Sequence, residues 1–271
     1  AFRIAYSSYS PAARSPYHTL NNVEIPGVPT DPDTWNAFQG CIKYDLHAIT
    51  TSITANNLNI HDNDVQAHGY SLFWVYVNSG PVTSTFTNVT MSKNIQYTQF
   101  KLELVDGNHT ATIDGLTITQ NNISSDIFTA VCASAADNFV LNLKNVLLEA
   151  NQYNANASFL SFYSNATNTQ MTIDGLEMKN HAFDVVGFYS ARDGILIHPG
   201  GTSTSTFNLT LQNSAFTNLY PLGTVIGAAS SLVPVTGLLK NVIFKNVVSE
   251  YITYMAHTAS WTIQNVTFED Y

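Results

Sequence analysis

Phe86-Thr87-Asn88-Val89-Thr90-Met91 is one copy of a short pattern that decides the fold, and two others are Leu239-Lys240-Asn241-Val242-Ile243-Phe244 and Ile263-Gln264-Asn265-Val266-Thr267-Phe268. The pattern turns on a pivot that is Asn or Gly in every copy: Asn57, Asn88, Gly115, Asn145, Gly175, Asn213, Asn241 and Asn265. Side chains two before, one after and three after each pivot are apolar at 23 of 24 positions, Ser214 being the exception, where composition alone would give about 11. Inward side chains of a straight strand recur every second residue, so this spacing slips the alternation by one at the pivot. A single residue of left-handed backbone at that point would turn a strand through a corner and restore the inward phase. Gly adopts positive φ freely and Asn is among the few others that tolerate it, which accounts for the pivots.

Between the pivots lie further runs that read as strands: Leu72 to Val77, Phe100 to Val105, Phe159 to Tyr163, Val185 to Tyr189 and Tyr251 to Met255. No segment carries a sustained helical period with caps. The expected fold is therefore all-β, a parallel solenoid of about eight coils, one per pivot. The pivot residues resemble the asparagine ladders of the right-handed parallel β-helix, or pectin-lyase-like, superfamily, over roughly residues 38 to 271. That resemblance implies a right-handed, three-sheeted β-helix. A rival template must be set beside it: Leu143-x-x-Val146-x-Leu148-x-x-Asn151 and the copies ending at Asn63, Asn94 and Asn121 match a leucine-rich repeat. Pivot spacings of 24 to 38 residues and strand-like remainders favour the β-helix.

The expected organisation is an extended Pro/Tyr-rich arm or cap over residues 1–35 and a parallel β-helix over 36–271. The arm holds Arg3, Tyr6, Tyr9, Arg14 and Tyr17 and shows no pivot. Its prolines bar it from a central strand. Its first fourteen residues hold Arg3 and Arg14 and no acid, while the repeats are acidic. The last pivot copy stops at Phe268, with no polar element to cover the final coil, so that coil is expected to dock against more protein, an identical subunit included.

Charged residues make up 11 % of the 271, against roughly 25 % usual for soluble proteins, and the formal net charge is -9. No basic stripe exists to neutralise phosphates, so no nucleic-acid partner is expected. No apolar run approaches the roughly 18 residues of a membrane span. A surface of neutral Asn, Ser and Thr, with Ala1 opening the chain, suggests a processed extracellular or cell-surface product. Asn-x-Ser/Thr sequons occur at Asn88, Asn108, Asn122, Asn156, Asn165, Asn208 and Asn265, a count composition alone would nearly supply. Asn108, Asn122, Asn156 and Asn165 fall in expected turns; Asn88 and Asn265 are pivots whose side chains would stack in a ladder instead. Cys132 reads as a buried thiol. Cys41 lies about three coils away, too far to bridge to it, and is left open to an intermolecular pair.

Catalytic chemistry is sparsely supplied. The β-helix resemblance implies polysaccharide cleavage, which needs clustered acids, with calcium and a basic residue for lyases or paired Asp for hydrolases. The strand runs offer Lys101 and Glu103, which read as a surface pair. Asp114 and Asp174 occupy equivalent places in Ile-Asp-Gly and read as turn residues. His61-Asp62-Asn63-Asp64, with His47 and His68 nearby, has oxygen ligands suited to Ca²⁺, but the spacing of a calcium loop is missing and the stretch reads as a loop. Arg192-Asp193-Gly194 and His198-Pro199-Gly200-Gly201 flank a short strand in the longest repeat. No catalytic residue, metal site or cofactor is assigned. The expected role is structural, a head-to-tail extracellular filament or layer of identical subunits carrying N-linked glycans. The alternatives are a polysaccharide-active enzyme and an adhesin binding glycan or protein through Trp74, Tyr76 and Tyr163.

Overall fold

The computed structural model describes residues 17–27, 42–46, 51–64, 71–77, 81–96, 98–105, 107–123, 125–133, 137–153, 158–183, 193–202, 204–228, 233–255 and 259–270. Every element among them is a strand and every pairing is parallel. One series carries the pivots: β1 (Tyr17–Ile25), β3 (Thr51–His61), β5 (Val82–Ser92), β8 (His109–Thr119), β11 (Asn138–Glu149), β14 (Asn168–Phe183), β16 (Thr206–Ala228), β17 (Val235–Met255) and β18 (Ala259–Glu269). Each pairs with the next in that order. A second series is β2 (Ile42–Leu46), β4 (Ser71–Val77), β7 (Thr98–Leu104), β10 (Phe128–Cys132), β13 (Leu160–Ser164) and β15 (Asp193–Pro199), continued by the far ends of β16 and β17. A short third series is β6 (Ile95–Gln96), β9 (Asn122–Ile123) and β12 (Gln152–Tyr153), ending on Ala182 and Phe183 of β14. Strands that pair only with their counterparts one repeat away, on several faces, are what a parallel solenoid requires. A leucine-rich repeat would put helices where the second and third series run.

The pivots behave as their residue types demand. Asn57, Asn88, Asn145, Asn213, Asn241 and Asn265 have φ between 51° and 54°, and Gly115 and Gly175 have 77° and 78°. The slip brings all three flanking apolar positions inward, as at Phe86, Val89 and Met91, each 0 % exposed. Along the core, aromatic rings stack from one repeat to the next: Phe73 on Phe100 at 4.7 Å, Phe100 on Phe128 at 5.3 Å, Phe216 on Phe244 at 5.1 Å. Cys132 is a free, buried thiol, while Cys41 lies outside the described residues.

Three features depart from or extend the expectations. First, the stretch assigned to an arm contains β1, whose residues from Tyr17 to Ile25 pair in register with Ser52 to Ile60. Leu20-Asn21-Asn22-Val23-Glu24-Ile25 is a pivot copy, with Asn22 at φ 55° and Ile25 buried. The prolines at 16 and 26 bracket the strand rather than interrupt it, which is why they did not prevent it. Arg3, Tyr6, Tyr9 and Arg14 lie outside the described residues. Second, each of the eight pivots from Asn57 to Asn265 is followed five residues on by a second left-handed corner: Asp62, Lys93, Gln120, Ala150, Asn180, Asn218, Asn246 and Asp270. Third, from Asn63 to Val247 the residue after that corner is buried, and at Asn63, Asn94, Asn121 and Asn151 it builds a second asparagine ladder.

Candidate functional site

Most of the polar side chains that stand in line are engaged in ladders. At the pivots, each Asn amide donates to the preceding rung: Asn57 to Asn22 at 2.9 Å, Asn88 to Asn57 at 3.0 Å, Asn241 to Asn213 and Asn265 to Asn241 at 2.9 Å. Where the pivot is Gly, the residue before it supplies the oxygen, Asn145 donating to Asp114 and Asn213 to Asp174, both at 2.7 Å. The two hydrogen bonds from Asn213 and Gln212 hold the Asp174 carboxyl below its ordinary range. Asp114 and Asp174 are therefore ladder rungs. Asn180, Asn218 and Asn246 form a similar row at the second corner.

Inside the body, Asn63, Asn94, Asn121 and Asn151 are at most 2 % exposed. Each of the first three donates its amide to the next at 3.0 Å, and Asn94, Asn121 and Asn151 also donate to the backbone carbonyls of Ile60, Met91 and Ile118. His181 occupies the next step, its Nε2 3.1 Å from the Leu148 carbonyl and its ring on Phe159 at 4.4 Å. Burial pushes its pKa down to about 4. Asn63, one of the three oxygen residues suited to Ca²⁺, thus points into the core. Among the described residues no group of three His, Cys, Asp or Glu is placed to hold a metal.

The face left for binding is the outward side of β4, β7, β10, β13 and β15. Period-two alternation and register put Tyr76, Glu103, Val131, Tyr163 and His198 in one row, and Trp74, Lys101, Thr129, Ser161 and Leu196 in the next. The Lys101 ammonium lies 4.9 Å from the Trp74 ring centroid and 2.8 Å from Glu103, while Trp74 meets Tyr76 edge to face at 6.1 Å. Tyr163 and His198 stack at 4.2 Å with planes 7° apart. Burial lowers the His198 pKa, so this ring is neutral at pH 7. Tyr163 is raised, first by burial and then by the nearby Asp126.

A cleft of about 610 Å³ opens here between the face and the turns that follow its strands, lined by Lys101, Glu103, Tyr163, Asn165, His198 and Gly200 among others. Its size suits a small ligand or part of a chain. Glu103 is the one carboxylate among its described lining residues. Asp126 and Asp193 lie at the opposite margin of the face, two coils apart, their carboxyls raised chiefly by burial. Asp126 accepts from the Ser158 N–H at 2.8 Å. Asp193 is buried beside Thr224 and Gly227. Among the described residues, the face therefore does not bring two close acids into the cleft.

The sequons sort by their amides. Asn88 and Asn265 spend Nδ2 in the pivot ladder, and Asn165 spends it on the Ala133 carbonyl at 2.9 Å. Asn108 is exposed in a turn and engages through Oδ1, which accepts from the Asn138 N–H at 2.9 Å. Asn208 is exposed on β16, Asn122 is half-buried at the start of β9, and Asn156 lies outside the described residues, as do His47, His68 and Arg192. No described helix is long and apolar enough to cross a membrane. Compared with known proteins, the chain matches no family model, no curated protein and no solved structure.

Proposed function

We propose that the chain is a structural element: a right-handed parallel β-helix of about eight coils plus the one that β1 adds, with copies stacking head to tail into an extracellular, N-glycosylated filament or layer. The observation that carries this reading is the state of β18. Ile263 is 61 % and Phe268 53 % exposed, although they continue the rows of Leu239 and Phe244, which are 1 % and 0 % exposed. Such a rung of core side chains can accept a further coil, here one supplied by a second copy. The pivot ladder supports the same polarity, since every amide points toward the preceding rung and Asn22 of one copy would meet Asn265 of the next.

Light scattering on the purified chain and electron microscopy test it. Ile263→Asp with Phe268→Asp is expected to give monomers, with the circular dichroism unchanged. A native chain that stays monomeric and unstacked at tens of micromolar overturns the reading. Deleting residues 1–16, which leaves β1 intact, tests whether the Arg3 and Arg14 segment contributes.

The cleft favours a second reading, a glycan-binding module, through its aromatic margin and the hydrogen-bonding side chains of its lining. Saturable binding on a glycan array, lost in Tyr163→Ala, would favour it. Turnover of acidic polysaccharides would favour an enzyme instead.

A further inference from the structure

Strand β1 is joined to its neighbour by three kinds of contact, and one of them titrates. The backbone ladder runs from Tyr17↔Ser52 to Ile25↔Ile60. Asn21 and Asn22 accept from Asn56 and Asn57 at 2.9 Å. At the far end of β3, His61 has a carboxylate at each ring nitrogen, Asp62 at 2.6 Å from Nδ1 and Glu24 of β1 at 3.2 Å from Nε2. A neutral imidazole has one N–H and so can donate to only one of these acids; the imidazolium donates to both. The other face of this corner belongs to β5, whose Ser92 pairs with His61, with Lys93 at the next position. Asp64, two residues past Asp62, bridges to Ile95. Two acids, Asp62 and Glu24, touch the ring, while Asp64 and Lys93 are placed near this corner by backbone pairing alone.

We propose that Glu24, His61 and Asp62 form a pH-sensitive clasp that fastens β1 to the solenoid when His61 is protonated and loosens it when the proton is lost. Loosening β1 uncovers the edge of β3, whose backbone groups can then accept another strand. The hydrogen bonds to Asp62 and then Glu24 raise the His61 pKa above its ordinary 6.5. The clasp is thus complete below about pH 6.5 and is lost as pH rises through the higher native value. Since His61 and its acids are partly exposed, the effect is graded.

The test is amide exchange in the full chain, reading β1 against β8 in the same molecule, each corrected for its intrinsic rate. Between pH 5.5 and 8.5 the protection of β1 relative to β8 is expected to fall roughly three- to tenfold. Glu24→Gln, at an exposed position, and His61→Gln are each expected to hold the ratio at its high-pH value throughout. A ratio that does not change with pH in the native chain, or one that falls equally in both variants, overturns the clasp. The measurement is made at a concentration where light scattering finds the chain monomeric, so that no stacked copy adds protection to β1.

Discussion

At Gly115 and Gly175 the ladder of pivot asparagines has no side chain to offer, and Asp114 or Asp174 reaches across to supply the missing oxygen. The pairing of Asp with Gly is thus a local solution: Gly takes φ 77° at little cost, and the acid before it restores the rung. A Cβ at Gly115 would sit 2.9 Å from Oδ1 of Asn88 as well as in left-handed backbone. Gly115→Ala is therefore expected to cost about 1–3 kcal/mol, read as a lower urea midpoint. Asp114→Thr with Gly115→Asn copies the Thr87-Asn88 corner and is expected to recover most of that loss. His181 gives a second residue-scale expectation. It is neutral in its buried place, whereas the unfolded chain takes up a proton near 6.5, so its contribution is complete above 6.5 and is lost as pH falls toward the native value. The gap from 6.5 to about 4 corresponds to about 3 kcal/mol, and His181→Asn, which extends the ladder with a group that does not titrate, should remove that part of the acid sensitivity in paired urea titrations.

At the scale of the strand, the buried ladder is the most costly element to disturb. Asn121 accepts from the backbone and amide of Asn94 and donates to Met91, Thr119 and Asn151, so Asn121→Ala strands several buried polar groups at once. A loss of about 3 kcal/mol or more is expected by urea denaturation. The outer ladder carries a different prediction. A glycan on Asn88 or Asn265 would break a rung, so glycopeptide mapping of secreted material should find Asn108 modified and those two bare. The first corner was legible in the sequence because every copy has Asn or Gly there, the Asn amides bonding from rung to rung, and because the apolar phase shifts around it. The second corner was not, because Lys93, Gln120 and Ala150 share no chemistry; its signal is the fixed interval of five residues. Asn63, Asn94, Asn121 and Asn151 stood out in the sequence, but only as the close of a leucine-rich template, which likewise places an asparagine after an apolar alternation. Asn22 was hidden by the prolines around it. The cleft could not be read at all, because residues 101, 163 and 198 meet only through register between strands.

For the molecule as a whole, nearest-neighbour stacking makes the energetic weight of a residue depend on which coil it occupies. Phe100 and Phe268 are both large aromatics that stack on the preceding coil, Phe268 lying 5.3 Å from Phe244. Phe100 also has Phe128 on its other side and is 0 % exposed, whereas Phe268 is 53 % exposed. Phe100→Ala opens a cavity flanked on both sides and is expected to cost about 3–5 kcal/mol, lowering the thermal midpoint of the whole chain. Phe268→Ala in the monomer is expected to cost about 1 kcal/mol or less, with exchange accelerated in β18 while β8 keeps its protection. At concentrations where copies stack, the same substitution should become much more costly, because the second face of Phe268 is then covered. A Phe268→Ala effect that does not change with protein concentration would mean that β18 is not the surface through which copies associate.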